Sequence, residues 1–296
     1  MLSSDVISKI DKNNNTIMRI AIFLALLAYA FGRMLVPMNE ATEQKLKSLG
    51  FEPDSSWYQV SYDDEINGPE PPVDFDVREK WPTCINNITD EGKCLGSWAI
   101  SVADVVSDRA CIKSLGKVRA KLSAQYLVSC DKTDNGCKGG GNGKNAFEYM
   151  LRDGIPTEEC VPWVSGQTGE NETCRAGQCT GKGIFQPRKC LRTIYAVSEA
   201  DIKRELMTTG PLFCRYDLYA DFNDYKSGIY YKVNTELAEK DHAARLLGWG
   251  NENTIHYWML SNSWSSKWGE NGNFRMKIGE SNICSIAIGC DPDTTT

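Results

Sequence analysis

Apolar residues are arranged in two different patterns along the chain, which divide it into a helical part and a later β part. Between Ser97 and Leu115 they recur at helical spacing, and Gly116 provides a stop signal. The segment NAFEYMLRDG predicts a shorter helix ending at Gly154. In SEADIKRELMTTGP, Ser198 and an acidic residue three positions later mark the start of another helix.

The later part of the chain contains short segments that are rich in β-branched and aromatic residues and are separated by Gly and Asn. This composition predicts strands in GPLFCRYDLY, GIYYKV, HAARLLGWG, IHYWMLSNSW and NFRMKIG. Helices followed by strands predict an α+β fold with two packed lobes.

The N-terminal region has the pattern of a targeting segment followed by a linker-like region. An apolar run from Ile20 ends in an A-x-A site, so we expect residues 1–30 to be an N-terminal extension and signal peptide, with translation starting at Met18. A long leading region before the signal and a signal anchor are the alternatives, although the run is short for a stable membrane span. Residues 31–71, acidic and ending in Pro and Gly, predict a pro-segment, and residues 72–296 form the main domain.

Composition narrows the class of protein. The net charge of −6 without a basic stripe argues against nucleic acid as a partner. Twelve cysteines with two histidines and no C-x-x-C pair argue against a zinc site, and we expect no metal or cofactor. Disulfides in an oxidising compartment are the better interpretation, which places the chain in the secretory pathway, either in a lysosome-like vacuole or outside the cell.

The segment DEGKCLGSWA offers two candidate nucleophiles, Cys94 and Ser97, at the start of the longest predicted helix. A serine at this position is commonly only an N-terminal cap, so the segment alone does not decide between these roles.

Four segments together resemble the papain family of peptidases. DEGKCLGSWA is similar to the family motif Q-G-x-C-G-S-C-W-A, and NGCKGG to G-C-x-G-G. DHAARLLGWG is similar to the segment with the catalytic histidine, and SNSWSSKWGENGNF to N-S-W-x-x-x-W-G-x-x-G-[YF]. FDVREKWPTC and SDRACI resemble the cathepsin B type. The resemblance implies a papain-like two-lobe fold, with a helical left lobe, a β-barrel-like right lobe and an active-site cleft between them.

The resemblance also implies site residues. Ser97 falls at the nucleophile position, His242 and Asn262 match the rest of the catalytic set, and Glu91 falls at the glutamine of the oxyanion hole. Cys94 falls on a disulfide cysteine and is therefore assigned a structural role. Substrate-binding positions are also implied, namely Gly139, Gly140, Trp264 and Gly289, the last of these at or near the floor of the second specificity pocket.

Disulfide pairings follow from the same resemblance, which implies Cys84–Cys111, Cys94–Cys137, Cys130–Cys174 and Cys160–Cys179. The remaining four cysteines are left without assigned partners, and Cys284 falls where the family often has an unpaired thiol. The loop between Cys160 and Cys179 lacks histidines, which argues against carboxydipeptidase activity. The short motifs NIT at Asn87 and NET at Asn171 are candidate glycosylation sites.

These residues predict impaired chemistry. A serine needs a base that removes its proton during attack, and Asn262 supports that base less well than a carboxylate would. An ionised Glu91 would repel the oxyanion. We therefore expect a monomeric pseudopeptidase that binds peptides, partner proteins or cystatin-like inhibitors in its cleft. The alternatives are an active endopeptidase using Ser97 and His242, and a disulfide-stapled scaffold or adhesion protein.

Overall fold

The computed structural model describes residues 33–48, 58–62 and 70–295. The predicted signal peptide lies outside the described residues, and the predicted pro-segment is described only in part. Among the described residues, no helix has the length and apolar content needed to cross a membrane.

The described residues form eight α-helices, most of them in the first half of the chain. Their bounds are α1 Glu40–Ser48, α2 Val77–Lys80, α3 Ser97–Lys113, α4 Ala124–Cys130, α5 Gly136–Gly139, α6 Gly143–Arg152, α7 Ser165–Thr168 and α8 Glu199–Thr209. Two short 3₁₀ helices follow later, at Ala220–Asp224 and Glu280–Asn282.

Ten strands are described, and all of them belong to one sheet. Their bounds are β1 Arg33–Pro37, β2 Tyr58–Tyr62, β3 Phe75–Asp76, β4 Cys190–Ala196, β5 Leu212–Tyr219, β6 Ile229–Tyr230, β7 Leu237–Glu252, β8 Ile255–Ser261, β9 Asn273–Lys277 and β10 Ala287–Pro292. The strand order is β1-β2-β4-β10-β5-β7-β8-β9-β6, with β3 paired to β7. The α+β, two-lobe prediction is confirmed, but the sheet is an open path and does not close into a barrel.

The helices predicted from local signals begin and end close to the expected residues. The long helix α3 stops at Lys113, and Leu115 and Gly116 follow with φ of 54° and 81°, a backbone that cannot continue a helix. Helix α8 begins after Ser198, whose hydroxyl accepts a 3.1 Å hydrogen bond from the amide of Asp201. Local side-chain chemistry thus sets these boundaries.

Strands β4 and β10 are absent from the sequence prediction, although they lie at the centre of the sheet. They pair with each other, and the Cys190–Cys290 disulfide joins them. Their segments, CLRTIYA and AIGCDP, are short and lack a clear alternation of apolar and polar positions. Their strand conformation depends on a partner about 100 residues away in sequence.

All twelve cysteines form disulfides. Four of the bonds join the pairs that the resemblance implied, Cys84–Cys111, Cys94–Cys137, Cys130–Cys174 and Cys160–Cys179. The cysteines left unassigned pair as Cys190–Cys290 and Cys214–Cys284. The expectation of an unpaired thiol at Cys284 is therefore wrong, because β5 and the turn before β10 bring its sulfur to Cys214.

Helix α3 is buried along nearly its whole length and connects the two lobes. Its apolar residues pack into the helical core, while its charged residues reach the β lobe. Arg109 is 2% exposed and pairs with the fully buried Glu205 of α8 at 2.7 Å, and Asp108 pairs with Arg245 of β7 at 2.7 Å. These ion pairs hold the helix against α8 and β7, respectively.

Candidate active site

Ser97 is the first residue of α3 and lies against strand β7. The Cys94–Cys137 disulfide and a 3.0 Å hydrogen bond from the Leu95 amide to the Cys137 carbonyl hold the turn before the helix. Ser97 is only 4% exposed, and its Oγ accepts a 3.3 Å hydrogen bond from the backbone amide of Ala243. The hydroxyl therefore lies at the positive N-terminal end of a 17-residue helix.

His242 lies next along the chain to Ala243 and is 1% exposed. Its Nε2 is 3.1 Å from Oδ1 of Asn262, which also accepts a 2.9 Å hydrogen bond from the Ser263 amide. Its Nδ1 is 2.9 Å from Oε2 of Glu239. Both ring nitrogens of His242 are thus engaged, and neither of them is engaged by Ser97.

Glu239 and His242 are brought together by an irregularity in β7. Tyr216 of β5 is opposite His242, whereas Leu218 is opposite Glu239, so one residue of β5 faces two residues of β7. Within this β-bulge, Asp241 has a φ of 63°. Residues three apart in a regular strand point to opposite faces, and the bulge places this pair on the same face.

The charge state of His242 is decided by competing effects. Burial opposes the charged form, but the hydrogen bond to Glu239 and the negative charges of Glu91 and Glu239 outweigh it and raise the pKa of the imidazole above its ordinary value. The rings of Tyr216 and Trp264 cover the imidazole, with centroids 5.4 and 5.2 Å away. This environment favours a protonated ring.

Glu91 lies just before α3 and is 5% exposed. Its Oε1 accepts a 2.5 Å hydrogen bond from Nε1 of Trp264, while its Oε2 is buried and has no hydrogen-bond partner among the described residues. Burial raises the pKa of the Glu91 carboxyl, although the charge of His242 and the bond from Trp264 oppose that change. The side chain therefore turns towards Trp264 and His242.

A groove of about 390 Å³ opens beside Ser97. Gly139 and Gly140 line one side, and Glu239, Asp241 and Arg215 line the other. Gly140 has a φ of 65°, a conformation that favours glycine, so the backbone itself forms this wall. Of the two acidic residues on this side, Asp241 pairs with Arg215 at 3.0 Å, whereas the Glu239 carboxylate contacts His242.

The structure separates the predicted site residues into two groups. Ser97, Gly139 and Gly140 line the groove. The second group, which is not among the lining residues, is linked by contacts from Asn262 to His242, from His242 to Trp264 and from Trp264 to Glu91. Glu239 is the residue that sequence reasoning missed. The acidic segment before His242 is visible in the sequence, but regular strand periodicity places Glu239 on the opposite face.

Gly289 is not among the residues that line this groove, and its assignment to the floor of the second specificity pocket stays a prediction. It lies in the middle of β10, where it pairs with Ile194 of β4. A Cβ atom at this position would lie 2.8 Å from both the Arg109 guanidinium and the Leu212 side chain. The missing side chain makes room for the buried Arg109 guanidinium.

Comparisons with known proteins identify the family. The family model described as "Papain family cysteine protease" matches residues 71–291. The chain belongs to the papain family. Within that family it is a cathepsin B-like homologue, as its similar proteins show.

The chain is 36% identical over 223 residues to "Cathepsin B-like CP3" of Giardia intestinalis, covering 75% of this chain and 74% of that protein. It is also 36% identical over 256 residues to "Cathepsin B-like cysteine proteinase 4" of Caenorhabditis elegans, covering 75% of each. Among solved structures, "proCathepsin B S9 from Trypanosoma congolense" matches with a TM-score of 0.74 and 34% identity, over 81% of this chain and 84% of that one.

Proposed function

We propose that this cathepsin B-like homologue is a catalytically impaired peptidase, which binds peptides or partner proteins in the groove beside Ser97 and hydrolyses them poorly. In this proposal Ser97 occupies the position of the nucleophile, His242 and Asn262 occupy the positions of the remaining catalytic residues, and Glu91 occupies the oxyanion position.

The observation that carries the proposal is the hydrogen bonding around Ser97. Its hydroxyl accepts a hydrogen bond from the Ala243 amide, and the two ring nitrogens of His242 are engaged by Glu239 and Asn262. A serine hydroxyl becomes a nucleophile only when a base removes its proton during attack. In this proposal the imidazole, held between the acceptors Glu239 and Asn262, does not serve as such a base.

Glu91 impairs the same step. A donor aimed at the developing oxyanion accelerates acyl transfer by about 10²- to 10³-fold, and a carboxylate offers no such donor. In the structure Glu91 accepts a hydrogen bond from Trp264, so its role there is that of an acceptor. This second loss in the same step lowers the expected hydrolysis further.

The disulfides also support the proposal, because they leave no free cysteine to act as a nucleophile. All twelve cysteines of the sequence are paired, so the described part of the chain contains no thiol that could act in place of the Ser97 hydroxyl. The same six disulfides are consistent with a chain that enters the secretory pathway and works in a vacuole or outside the cell.

Residues 31–71 act in this proposal as a pro-segment. In support, β2 pairs in parallel with β4 and so extends the sheet of the main domain, and Leu46 of α1 is fully buried. The mature protein would then be a monomer whose groove accepts an extended peptide or a cystatin-like inhibitor.

The test is a fluorogenic peptide assay on the secreted, processed protein at acidic and neutral pH. The variants are Ser97→Cys, Glu91→Gln and the double change, with Ser97→Ala as the matched control. We expect background hydrolysis by the wild type and recovery mainly in the double variant. Robust wild-type turnover that Ser97→Ala abolishes would refute the proposal and establish the endopeptidase alternative.

A binding measurement separates the proposal from the scaffold alternative. We expect the uncleaved peptides, or an immobilised cystatin, to bind the wild type and to bind less well after Gly140→Trp, which fills the groove. Binding that is unchanged by this substitution would place the interaction outside the groove.

A further inference from the structure

We infer that Glu239 is a built-in counter-ion, a positioning residue that holds His242 as an imidazolium and keeps its Nδ1 from acting as a base. This inference rests on the proposed function and explains how the fold preserves an ordered catalytic histidine without a thiolate beside it.

The hydrogen-bond acceptors around the ring assign its protons. Asn262 Oδ1 accepts from the Ser263 amide, which identifies that atom as the oxygen, so Nε2 of His242 must donate to it. The Glu239 carboxylate on the other side accepts from Nδ1 at 2.9 Å. A ring that donates from both nitrogens is the charged form.

The charged and titratable groups near the ring agree with this assignment. Glu91, from the turn before α3, and Glu239, from β7, are the two carboxyls that act on His242. Asp241 is engaged by Arg215, and Tyr216 of β5 contributes a phenol ring that stays protonated because burial raises its pKa. Together these groups place net negative charge around the imidazole.

The β-bulge is what allows Glu239 to take this position. One extra residue in β7 turns Glu239 towards His242, and the side chain remains 32% exposed at the wall of the groove. The Glu239 carboxylate is thus accessible from the groove and at the same time contacts the imidazole ring. The proton on Nδ1 is therefore shared with Glu239. Nδ1 neither donates this proton to Ser97 nor accepts a proton from it.

The chain is suited to a direct test because it contains only two histidines, His242 and His256. His256 is exposed on β8, so His256→Gln leaves a single histidine signal for titration by NMR of the ring protons and nitrogens. In that background we compare the parent protein with Glu239→Gln. Asp241→Asn is the matched control, since it removes a neighbouring charge without touching Nδ1.

We expect both ring nitrogens of His242 to be protonated at pH 7 in the parent protein. Glu239→Gln should lower the pKa of His242 by about 1 to 3 pH units, the range for losing an opposite charge at this distance. Asp241→Asn should lower it less. A neutral ring at pH 7 in the parent, an unchanged pKa after Glu239→Gln, or an equal effect of Asp241→Asn would each overturn the inference.

The parent titration keeps the test decisive even if Glu239→Gln does not fold, because a parent ring that is neutral at pH 7 is sufficient to overturn the inference. Hydrolysis is measured separately, by adding Glu239→Gln to the Ser97→Cys, Glu91→Gln double variant. We expect the triple variant to hydrolyse the peptide faster than the double variant, because without the Glu239 carboxylate Nδ1 can interact with the thiol of the introduced cysteine. Hydrolysis by the wild type would contradict the proposed function but would not change the titration result. Failure of the proposed function can therefore be distinguished from failure of the inference about Glu239.

Discussion

Trp264 donates a 2.5 Å hydrogen bond from its indole nitrogen to a carboxyl oxygen of Glu91. The bond joins the turn before α3 to the loop after β8, and the other oxygen of Glu91 is buried without a partner among the described residues. A carboxyl in this setting keeps its proton to a higher pH than it would in the unfolded chain.

The first prediction concerns Glu91 and the pH dependence of stability. Because burial raises its pKa in the folded state, the contribution of Glu91 is complete below its unfolded pKa of about 4.3 and is lost as the pH rises through the folded value. Glu91→Gln removes this dependence while it retains an acceptor for Trp264. We therefore expect the difference in unfolding free energy between the variant and the wild type to shift in favour of the variant as the pH rises from 4 to 8.

Denaturant unfolding of both proteins at the two pH values measures this difference. Glu79→Gln, at an exposed glutamate of α2, is the control and should follow the wild type. A Glu91→Gln advantage that is the same at pH 4 and pH 8 would contradict the argument.

The second prediction concerns the buried ion pair between the lobes. Arg109 and Glu205 are 2% and 0% exposed, and removing one partner leaves the other charge buried. We expect Glu205→Ala to lower the free energy of unfolding by about 3–5 kcal/mol. The control, Glu199→Ala in the same helix, breaks a partly exposed pair with Lys203 and should cost about 0–1 kcal/mol. Equal costs in thermal or denaturant unfolding would show that burial does not matter here.

The third prediction distinguishes the two candidate glycosylation sites. Asn171 accepts a 2.7 Å hydrogen bond from the Cys137 amide, and its side-chain amide packs against Gly136, so a sugar there would disrupt the loop that carries Gly139 and Gly140. Both asparagines are exposed, so the difference between them lies in this contact, and Asn87 lines a groove of about 560 Å³. We expect a secreted, folded chain to carry a glycan at Asn87 and none at Asn171.

Treatment with an N-glycosidase, followed by gel electrophoresis and peptide mass spectrometry, measures the modification. The mobility shift should disappear in Asn87→Gln and persist in Thr173→Ala, which removes the second motif but leaves the Asn171 contact. A shift that Thr173→Ala abolishes would assign the glycan to Asn171 and contradict the prediction.

Several helix boundaries could be predicted from the sequence because short-range side-chain and backbone interactions set them. Helix α8 follows from Ser198 as an N-cap, and the end of α3 follows from Gly116, because each signal acts on the backbone within a few residues. Ser97, His242 and Asn262 were assigned from segments that resemble family motifs and occur in the order of the family.

Other features depended on residues far apart in sequence. The packing of Gly289 in β10 against Arg109 is visible only in the structure, and Cys284 was expected to be unpaired until β5 brought Cys214 to it. The central strands β4 and β10 have no periodic pattern of their own, so their pairing became evident only in the sheet.

The sequence by itself determined the family, the two-lobe fold and the identity of the residue at the start of α3. Only the tertiary structure decided which group faces the imidazole of His242. A strand alternates its side chains regularly, and the sequence gives no sign that β7 contains an extra residue between Glu239 and His242. That bulge turns Glu239 towards His242, and it could not be read from β7 alone, because the register between two strands is a property of their pairing.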